Sequence, residues 1–385
     1  MKTLGVGIIG CGVISGIYMR NMPLFKGLTL KACADARPES AQAQAKEHGI
    51  EALSVEAMLA RADIDLVVNL TVPNAHFAVS LAALEAGKHV FSEKPLCVNP
   101  AEARQLVQLA RARNLVVGGA PDTFLGAGGR LARQIVDSGA IGRVVAGSIF
   151  LMSRGPESWH PDPEFFYKPG GGPVLDMAPY YLAALVNLIG PIARVQARAT
   201  RGFAERVVGA PGPKNGSRIA VEVPTTVMAA LTSASGAEIN FNMSWDVWAH
   251  GHPPIELYGS EGSLRVPDPN FYDGLVHVTQ CGGDWQERDS TTMLYGKPNY
   301  RAPAWPASRP DRANYRCLGI AEMASSILNG TPHRSSGHLA SHVLDVMDAI
   351  LKSGNDSRSI TLEGSSSQPA VLQEADAVGL WRGGS

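Results

Sequence analysis

Three short stretches of this chain place chemically useful residues at useful spacings. The first is Gly10-Cys11-Gly12-Val13-Ile14-Ser15-Gly16, which follows directly on the apolar run VGIIG. Gly10 permits a tight turn, Gly12 lets the backbone approach a pyrophosphate, and the start of a following helix offers unpaired N–H groups to the anion. Ser15 stands where the third glycine of this fingerprint would be. The second is Asp35, which closes the next apolar run about 20 residues after the turn, where an acid accepts hydrogen bonds from the adenosine ribose and repels a 2′-phosphate. NAD is therefore expected in preference to NADP, with Arg37 the one nearby residue able to hold a phosphate instead. The third is Glu93-Lys94-Pro95, just past the run KHVFS. Ligands of open α/β sheets bind at the carboxyl ends of strands, and an ammonium placed there can exchange a proton with a reacting hydroxyl.

The segment AGKHVFSEKP at 86–95, taken with VPNAHF at 72–77, resembles the glucose-fructose oxidoreductase, inositol dehydrogenase and rhizopine catabolism (Gfo/Idh/MocA) family. GAIGRV at 139–144, GGGPVLDMAPYY at 170–181 and YGSEGSL at 258–264 are similar to that family's second-domain landmarks, so the resemblance spans nearly the whole chain. It implies a nucleotide-binding Rossmann domain and a second domain whose large open sheet packs against other subunits in a homodimer or homotetramer. It also implies an oxidoreductase acting on CH–OH groups of carbohydrates. Cofactor contacts are then expected from Gly10, Gly12, Val13, Ile14, Asp35, Arg37, Thr71, Pro73, His76, Glu93 and Lys94. The family's lysine beside nicotinamide and substrate becomes Lys94, with Pro95 fixing its turn.

The family's second-domain motif has an aspartate, here Asp176, and four residues later commonly a histidine as base. This chain has Tyr180 instead, as some sugar-oxidising members of the family do. A phenol near a lysine can serve as acid and base, and a spacing of four puts Asp176 and Tyr180 on one helix face. Pro179 interrupts that reading, because a proline inside a helix removes a hydrogen bond. A helix starting near Asp176 would make that residue an N-cap, and Tyr180 would then read as a core aromatic.

These residues need a frame. Up to about residue 123, short Val, Ile and Leu runs alternate with Ala-rich helical stretches, the punctuation of a parallel sheet covered on both faces. Beyond about residue 126, a helix over RLARQIVDSG leads into TTVMAALTSA, EINFNMSWDVW and IELYGSEGSLRV, which read as neighbouring antiparallel strands. The fold class is thus α/β, with a doubly wound Rossmann domain at 1–124 and an α+β substrate and oligomerisation domain at 125–363. A late helix near 338–352 is expected to return to the first domain, and the Ser, Gly and Pro-rich tail at 364–385 to be loosely held. Loops cluster at 155–173, 209–216, 267–274 and 285–312.

Glu157-Ser158-Trp159-His160 lies in the first of those loops, where the indole can stack on a sugar's C–H face and His160 can bond hydroxyls; a subunit contact fits equally well. Asp122, at another strand end, is expected against ribose or substrate. Asp246, His250 and His252 could supply at most a pair of metal ligands, with no third at a known spacing, so no metal is expected. Lys plus Arg is 34 against Asp plus Glu 35, a net charge of −1 that offers no field for nucleic acid. No run reaches the roughly 20 apolar residues of a membrane span. The five scattered cysteines lack a CxxC pair and fit reduced thiols in a cytoplasm.

The leading expectation is reversible hydride transfer between nicotinamide and a ring carbinol of a sugar, cyclic polyol or glycoside, with Lys94 and Tyr180 as acid-base pair. Some family members imply a redox-neutral NAD-dependent glycosidase instead, and a non-catalytic dinucleotide sensor is the third reading. The retained Lys94, Asp176 and Tyr180 speak against the sensor.

Overall fold

A computed structural model describes residues 2–301, 310–331, 333–363 and 366–383. The chain divides into two compact units, one of Met1–Leu125, Tyr315–Leu344 and Leu372–Ser385, the other of Gly126–Asn314 and Asp345–Val371. The second unit is thus not the unbroken 125–363 expected from the sequence, because the chain leaves it at residue 315 and again at residue 372.

The first stretch runs β1 (Leu4–Ile9), α1 (Ser15–Asn21), β2 (Leu28–Ala34), α2 (Pro38–His48), β3 (Glu51–Leu53), α3 (Val55–Ala60), β4 (Leu66–Asn69), α4 (Pro73–Glu85), β5 (His89–Ser92), α5 (Pro100–Ala112) and β6 (Val117–Gly119). Every residue of β1 and β4 is buried, as strands covered on both faces must be. The six strands pair in parallel in the order β3-β2-β1-β4-β5-β6. Strand order reverses between β1 and β4, and the crevice beyond their carboxyl ends is where such sheets take ligands.

The second unit begins with α6 (Ala127–Asp137) and β7 (Val144–Met152). It continues through α7 (Pro173–Ile189), β8 (Ile192–Thr200), the short β9 (Glu205–Val207) and β10 (Arg218–Ala220), β11 (Thr226–Ser233) and β12 (Glu238–Ser244). The strands β13 (Ile255–Gly259), β14 (Gly262–Val266), β15 (Leu275–Gln280) and β16 (Gln286–Asp289) follow. A nine-stranded sheet orders them β16-β15-β14-β13-β7-β12-β11-β8, with β17 (Ile360–Thr361) beyond β8. Its pairings are antiparallel except β12 on β7. The apolar α7 packs on β7, β11 and β12. Along β11, Val227, Ala229 and Leu231 are buried while Met228 and Ala230 are exposed, so one face of these strands is core and the other is open.

Between residues 315 and 344 the chain is back in the first unit, where α8 (Leu318–Asn329) lies against β6. The next helix, α9 (Gly337–Asp356), contributes to both units. The tail corrects the sequence expectation of a loose end. It forms α10 (Glu374–Leu380) beside α8, the Lys26 N–H donates to the Leu380 carbonyl at 2.8 Å, and Trp381 bridges to Phe25 with their rings edge-on at 5.8 Å. Composition weighs the Ser, Gly and Pro of this stretch and overlooks two anchors, Leu380 and Trp381. Residues 364, 365, 384 and 385 lie outside the described residues.

Candidate active site

In the first unit the glycine turn leaves the end of β1 with Gly10 at φ +104°, a conformation side-chain-bearing residues rarely adopt. A Cβ at Gly10 would lie 2.5 Å from the Leu70 carbonyl carbon, so the turn is pressed against the chain leaving β4. Gly12 faces open space, with nothing within 4 Å of its missing Cβ, and Val13 is fully exposed. Ser15, in place of a third glycine, donates its hydroxyl to the Gly12 carbonyl at 2.7 Å and so braces the turn from within. Asp35 is fixed by two backbone donors, the Cys11 N–H at 2.7 Å and the Arg37 N–H at 2.8 Å. The Arg37 side chain is largely exposed and stands 3.9 Å from the same carboxylate. An uncovered glycine turn joined to a held acid fits a dinucleotide: Gly12 and Val13 would face the pyrophosphate and Asp35 the ribose.

Thr71 and His76 are held together by a residue that the sequence reading passed over. Asn69, buried at the end of β4, accepts the Thr71 hydroxyl at 2.7 Å and donates to the His76 carbonyl and to Ser80 Oγ, each at 3.0 Å. An asparagine closing the apolar run IDLVVN was the available signal, since an amide buried there must find partners. The His76 ring is also buried, with Nδ1 2.6 Å from the Pro95 carbonyl and Nε2 3.0 Å from the Thr71 carbonyl. Its ring nitrogens therefore tie the loop after β4 to the turn after β5. Pro73 opens α4 at a position where its missing N–H is harmless.

Lys94 is half-buried just beyond β5, joined to Pro95 by a cis peptide bond. Glu93 turns inward: Oε1 accepts from the Tyr18 hydroxyl at 2.7 Å and Oε2 from the Lys94 N–H at 2.9 Å. Expected among the cofactor contacts, Glu93 spends both oxygens on the protein. Asp122 is likewise buried, and its Oδ2 accepts the Gly319 N–H at 2.8 Å, near the start of α8.

In the second unit, α7 begins at Pro173 with Gly172 as its N-cap, so Asp176 is not the cap that a later start would have made it. The Asp176 N–H donates to the Gly172 carbonyl at 3.1 Å within the first turn. Pro179 sits inside this helix. Asp176 is half-buried, and Tyr180, one turn on, is 7% exposed. The adjacent Tyr181 is more deeply enclosed and donates to Asp268 Oδ1 at 3.3 Å, and burial holds its phenol well above the ordinary range. Tyr181 is thereby a structural neighbour, which leaves Tyr180 as the helix's acid-base candidate.

The loop carrying Trp159 and His160 is anchored by Glu157. Its buried carboxylate faces Arg206 at 3.1 Å and Arg154 at 3.7 Å and accepts the Tyr167 hydroxyl, and its carbonyl receives the N–H groups of Gly209 and Ala210. Burial pushes the Glu157 carboxyl above the ordinary carboxylate range. Arg206, itself 2% exposed, also reaches Asp246 Oδ1 at 2.6 Å. Asp246 takes the hydroxyls of Thr225 and Thr226 as well, while His252 stacks on Phe150 at 4.0 Å. Around this anchor Trp159 stays exposed, and His160 packs edge-on against Phe165 and Phe166. The Asp162 N–H donates to His160 Nδ1 at 3.1 Å, so in the neutral ring the proton is on Nε2.

Comparison with known proteins agrees with both halves of this description. Residues 4–119 match a model described as an oxidoreductase family with an NAD-binding Rossmann fold, and residues 130–265 a model of the GFO/IDH/MocA C-terminal domain. A levoglucosan dehydrogenase of Pseudarthrobacter phenanthrenivorans is 29% identical over 69% of this chain and 73% of its own. A dTDP-3,4-didehydro-2,6-dideoxy-alpha-D-glucose 3-reductase of Streptomyces violaceoruber is 31% identical over 69% and 73%. A myo-inositol 2-dehydrogenase of Thermotoga maritima is 21% identical over 93% and 98%. Among solved structures, a levoglucosan dehydrogenase complex with NADH and levoglucosan superposes with a TM-score of 0.77 at 23% identity, covering 94% of this chain and all of that one. With these two models matching residues 4–119 and 130–265, this chain belongs to the Gfo/Idh/MocA family of NAD-binding oxidoreductases.

Proposed function

We propose that the chain is an NAD-dependent dehydrogenase oxidising a ring carbinol of a sugar, cyclic polyol or glycoside, with Lys94 and Tyr180 as its acid-base groups. NAD, when bound, accepts the hydride. The observation that carries the reading is the Lys94 turn: a half-buried lysine at the carboxyl end of β5, its main-chain N–H held by the Glu93 carboxylate. Lys94 is suited to orient the substrate hydroxyl, and Tyr180, with Asp176 one helical turn before it, to take or return its proton. Gly10, Gly12, Val13, Ile14, Thr71 and Pro73 line the cofactor's path, and Trp159, His160 and Asp122 bear on the substrate. Relatives acting on levoglucosan and inositol support a carbohydrate-like substrate.

NAD is preferred to NADP in this reading because Asp35 is held, by the Cys11 and Arg37 N–H groups, with its charge where a 2′-phosphate would lie. The exposed side of β8, β11 and β12, carrying Gln196, Met228 and Asn240, seats a second copy of the chain in a homodimer or homotetramer. A cytoplasmic enzyme suits cysteines that are all unpaired.

The test is to incubate the purified protein with NAD or NADP and a panel of sugars, inositols and glycosides while following absorbance of the reduced nicotinamide. Accumulation with NAD on a sugar or polyol is the expected result. Sugar release without accumulation would establish a redox-neutral glycosidase instead, and a preference for NADP would overturn the role given to Asp35. Sedimentation as a monomer would refute the sheet-to-sheet assembly.

A further inference from the structure

Lys94 does not stand alone, and the residue behind it belongs to a different part of the first unit. Tyr18 lies on α1, one turn past the glycine turn, and is wholly buried. Its hydroxyl meets Glu93 Oε1 at 2.7 Å, and the other oxygen of that carboxylate meets the Lys94 N–H at 2.9 Å. The tyrosine's own carbonyl accepts the Cys317 thiol at 3.2 Å, so its main chain is held from the start of α8 as well. Burial, with the Glu93 and Asp122 carboxylates nearby, keeps the phenol protonated well beyond its ordinary range and hence a permanent donor. Buried groups of this kind are costly unless every oxygen is met, and a carboxylate bridging two elements allows little independent motion to either.

We propose that Tyr18 is a positioning residue for Lys94: acting through Glu93, it makes the helix behind the glycine turn and the Lys94 turn one mechanical piece. The inference rests on the proposed role of Lys94. Cofactor seated on the glycine turn then steadies α1, and α1 steadies the turn that carries the Lys94 side chain, without Tyr18 touching substrate.

The experiment compares Tyr18→Phe, which keeps the ring and removes the hydroxyl, in two backgrounds. In the otherwise native enzyme kcat should fall roughly 10- to 100-fold, the worth of a lost bond to a charged group, while the sugar KM and the NAD Kd change less than threefold. In the Lys94→Ala background the same substitution should change kcat less than twofold. Equal losses in both backgrounds would show a general structural role and overturn the proposal. In the cofactor-free protein, labelling of Lys94 by a neutral amine-reactive ester, read by mass spectrometry, should quicken severalfold in Tyr18→Phe, and also in Glu93→Gln should the tyrosine variant fail to fold. An unchanged labelling rate in both variants also overturns the link. Full activity of Lys94→Ala alone would instead sink the proposed role of Lys94, and the labelling result would still decide whether Tyr18 holds the turn.

Discussion

The glycine turn lets stability and cofactor binding be separated by two one-methyl substitutions. At Gly10, alanine must adopt φ +104° and place its Cβ 2.5 Å from the Leu70 carbonyl carbon, 2.6 Å from its oxygen and 2.7 Å from the Thr71 nitrogen. The backbone conformation alone costs about 1–3 kcal/mol, and because all three close atoms are main chain, relief requires the end of β4 to shift. A total near 3 kcal/mol lowers a midpoint by roughly 6–12 °C for a unit of this size. At Gly12 the same methyl meets nothing within 4 Å, so the melting temperature should hold within about 2 °C. It does, however, occupy the surface on which the pyrophosphate would lie, and NAD affinity should drop at least tenfold, about 1.4 kcal/mol. Thermal denaturation followed by calorimetric titration with NAD reads both quantities. A Gly12→Ala protein that binds NAD as the native one does would refute the placement of the pyrophosphate on this turn, and a Gly10→Ala protein of native stability would refute the packing argument.

Lys94→Ala should reduce turnover by roughly 10²- to 10⁴-fold with NAD affinity nearly intact; unchanged steady-state kinetics would remove Lys94 from the chemistry. Asp35→Ala should relax the cofactor choice, seen as a rise in the NADP-to-NAD ratio of kcat/KM, and an unaltered ratio would assign discrimination elsewhere. Arg206→Met leaves the Glu157 and Asp246 carboxylates without their buried cation and should cost about 3–5 kcal/mol in urea unfolding. That cost should shrink as pH falls, because Glu157 then protonates, and a loss independent of pH would contradict it. His342, 5% exposed in α9, has its imidazole pulled down to about 4 by burial. The fold keeps the neutral ring, so between pH 6.5 and 4 the unfolded chain takes up the proton that the native one refuses. Stability present above pH 6.5 is therefore lost as pH falls, by up to about 3 kcal/mol, and His342→Gln should flatten that slope in pH-dependent unfolding. Native and variant curves of the same slope would exclude His342 as its source.

The parts of the fold legible in the sequence were those encoded locally. The all-buried β1, the turn at Gly10 and Gly12, the acid at the end of β2 and the Lys94 turn each declare themselves within a dozen residues. The helix around Asp176 was half legible: Pro179 pointed to a later start, whereas Pro173 at the first helical position, after Gly172, sets the true one. The network beneath Trp159 was invisible, because Glu157, Arg206 and Asp246 meet only once β9 and the end of β12 are folded, and no spacing rule joins residues so far apart. For Glu93 and His76 the motifs were plain, whereas the partners of their polar atoms, Tyr18 for the one and the Pro95 and Thr71 carbonyls for the other, carry no sequence signal. The docked tail was missed because small and polar residues outnumber the two side chains that fasten it.

That fastening bears on how the protein is made. Phe25 sits in the first stretch of the first unit, and the tryptophan that covers it comes 356 residues later in the chain. The nucleotide-binding half therefore cannot complete its packing until residue 381 has been made. A nascent chain halted before Leu372, or a protein clipped there by a protease, would expose the Phe25 and Tyr315 rings that Trp381 otherwise shields.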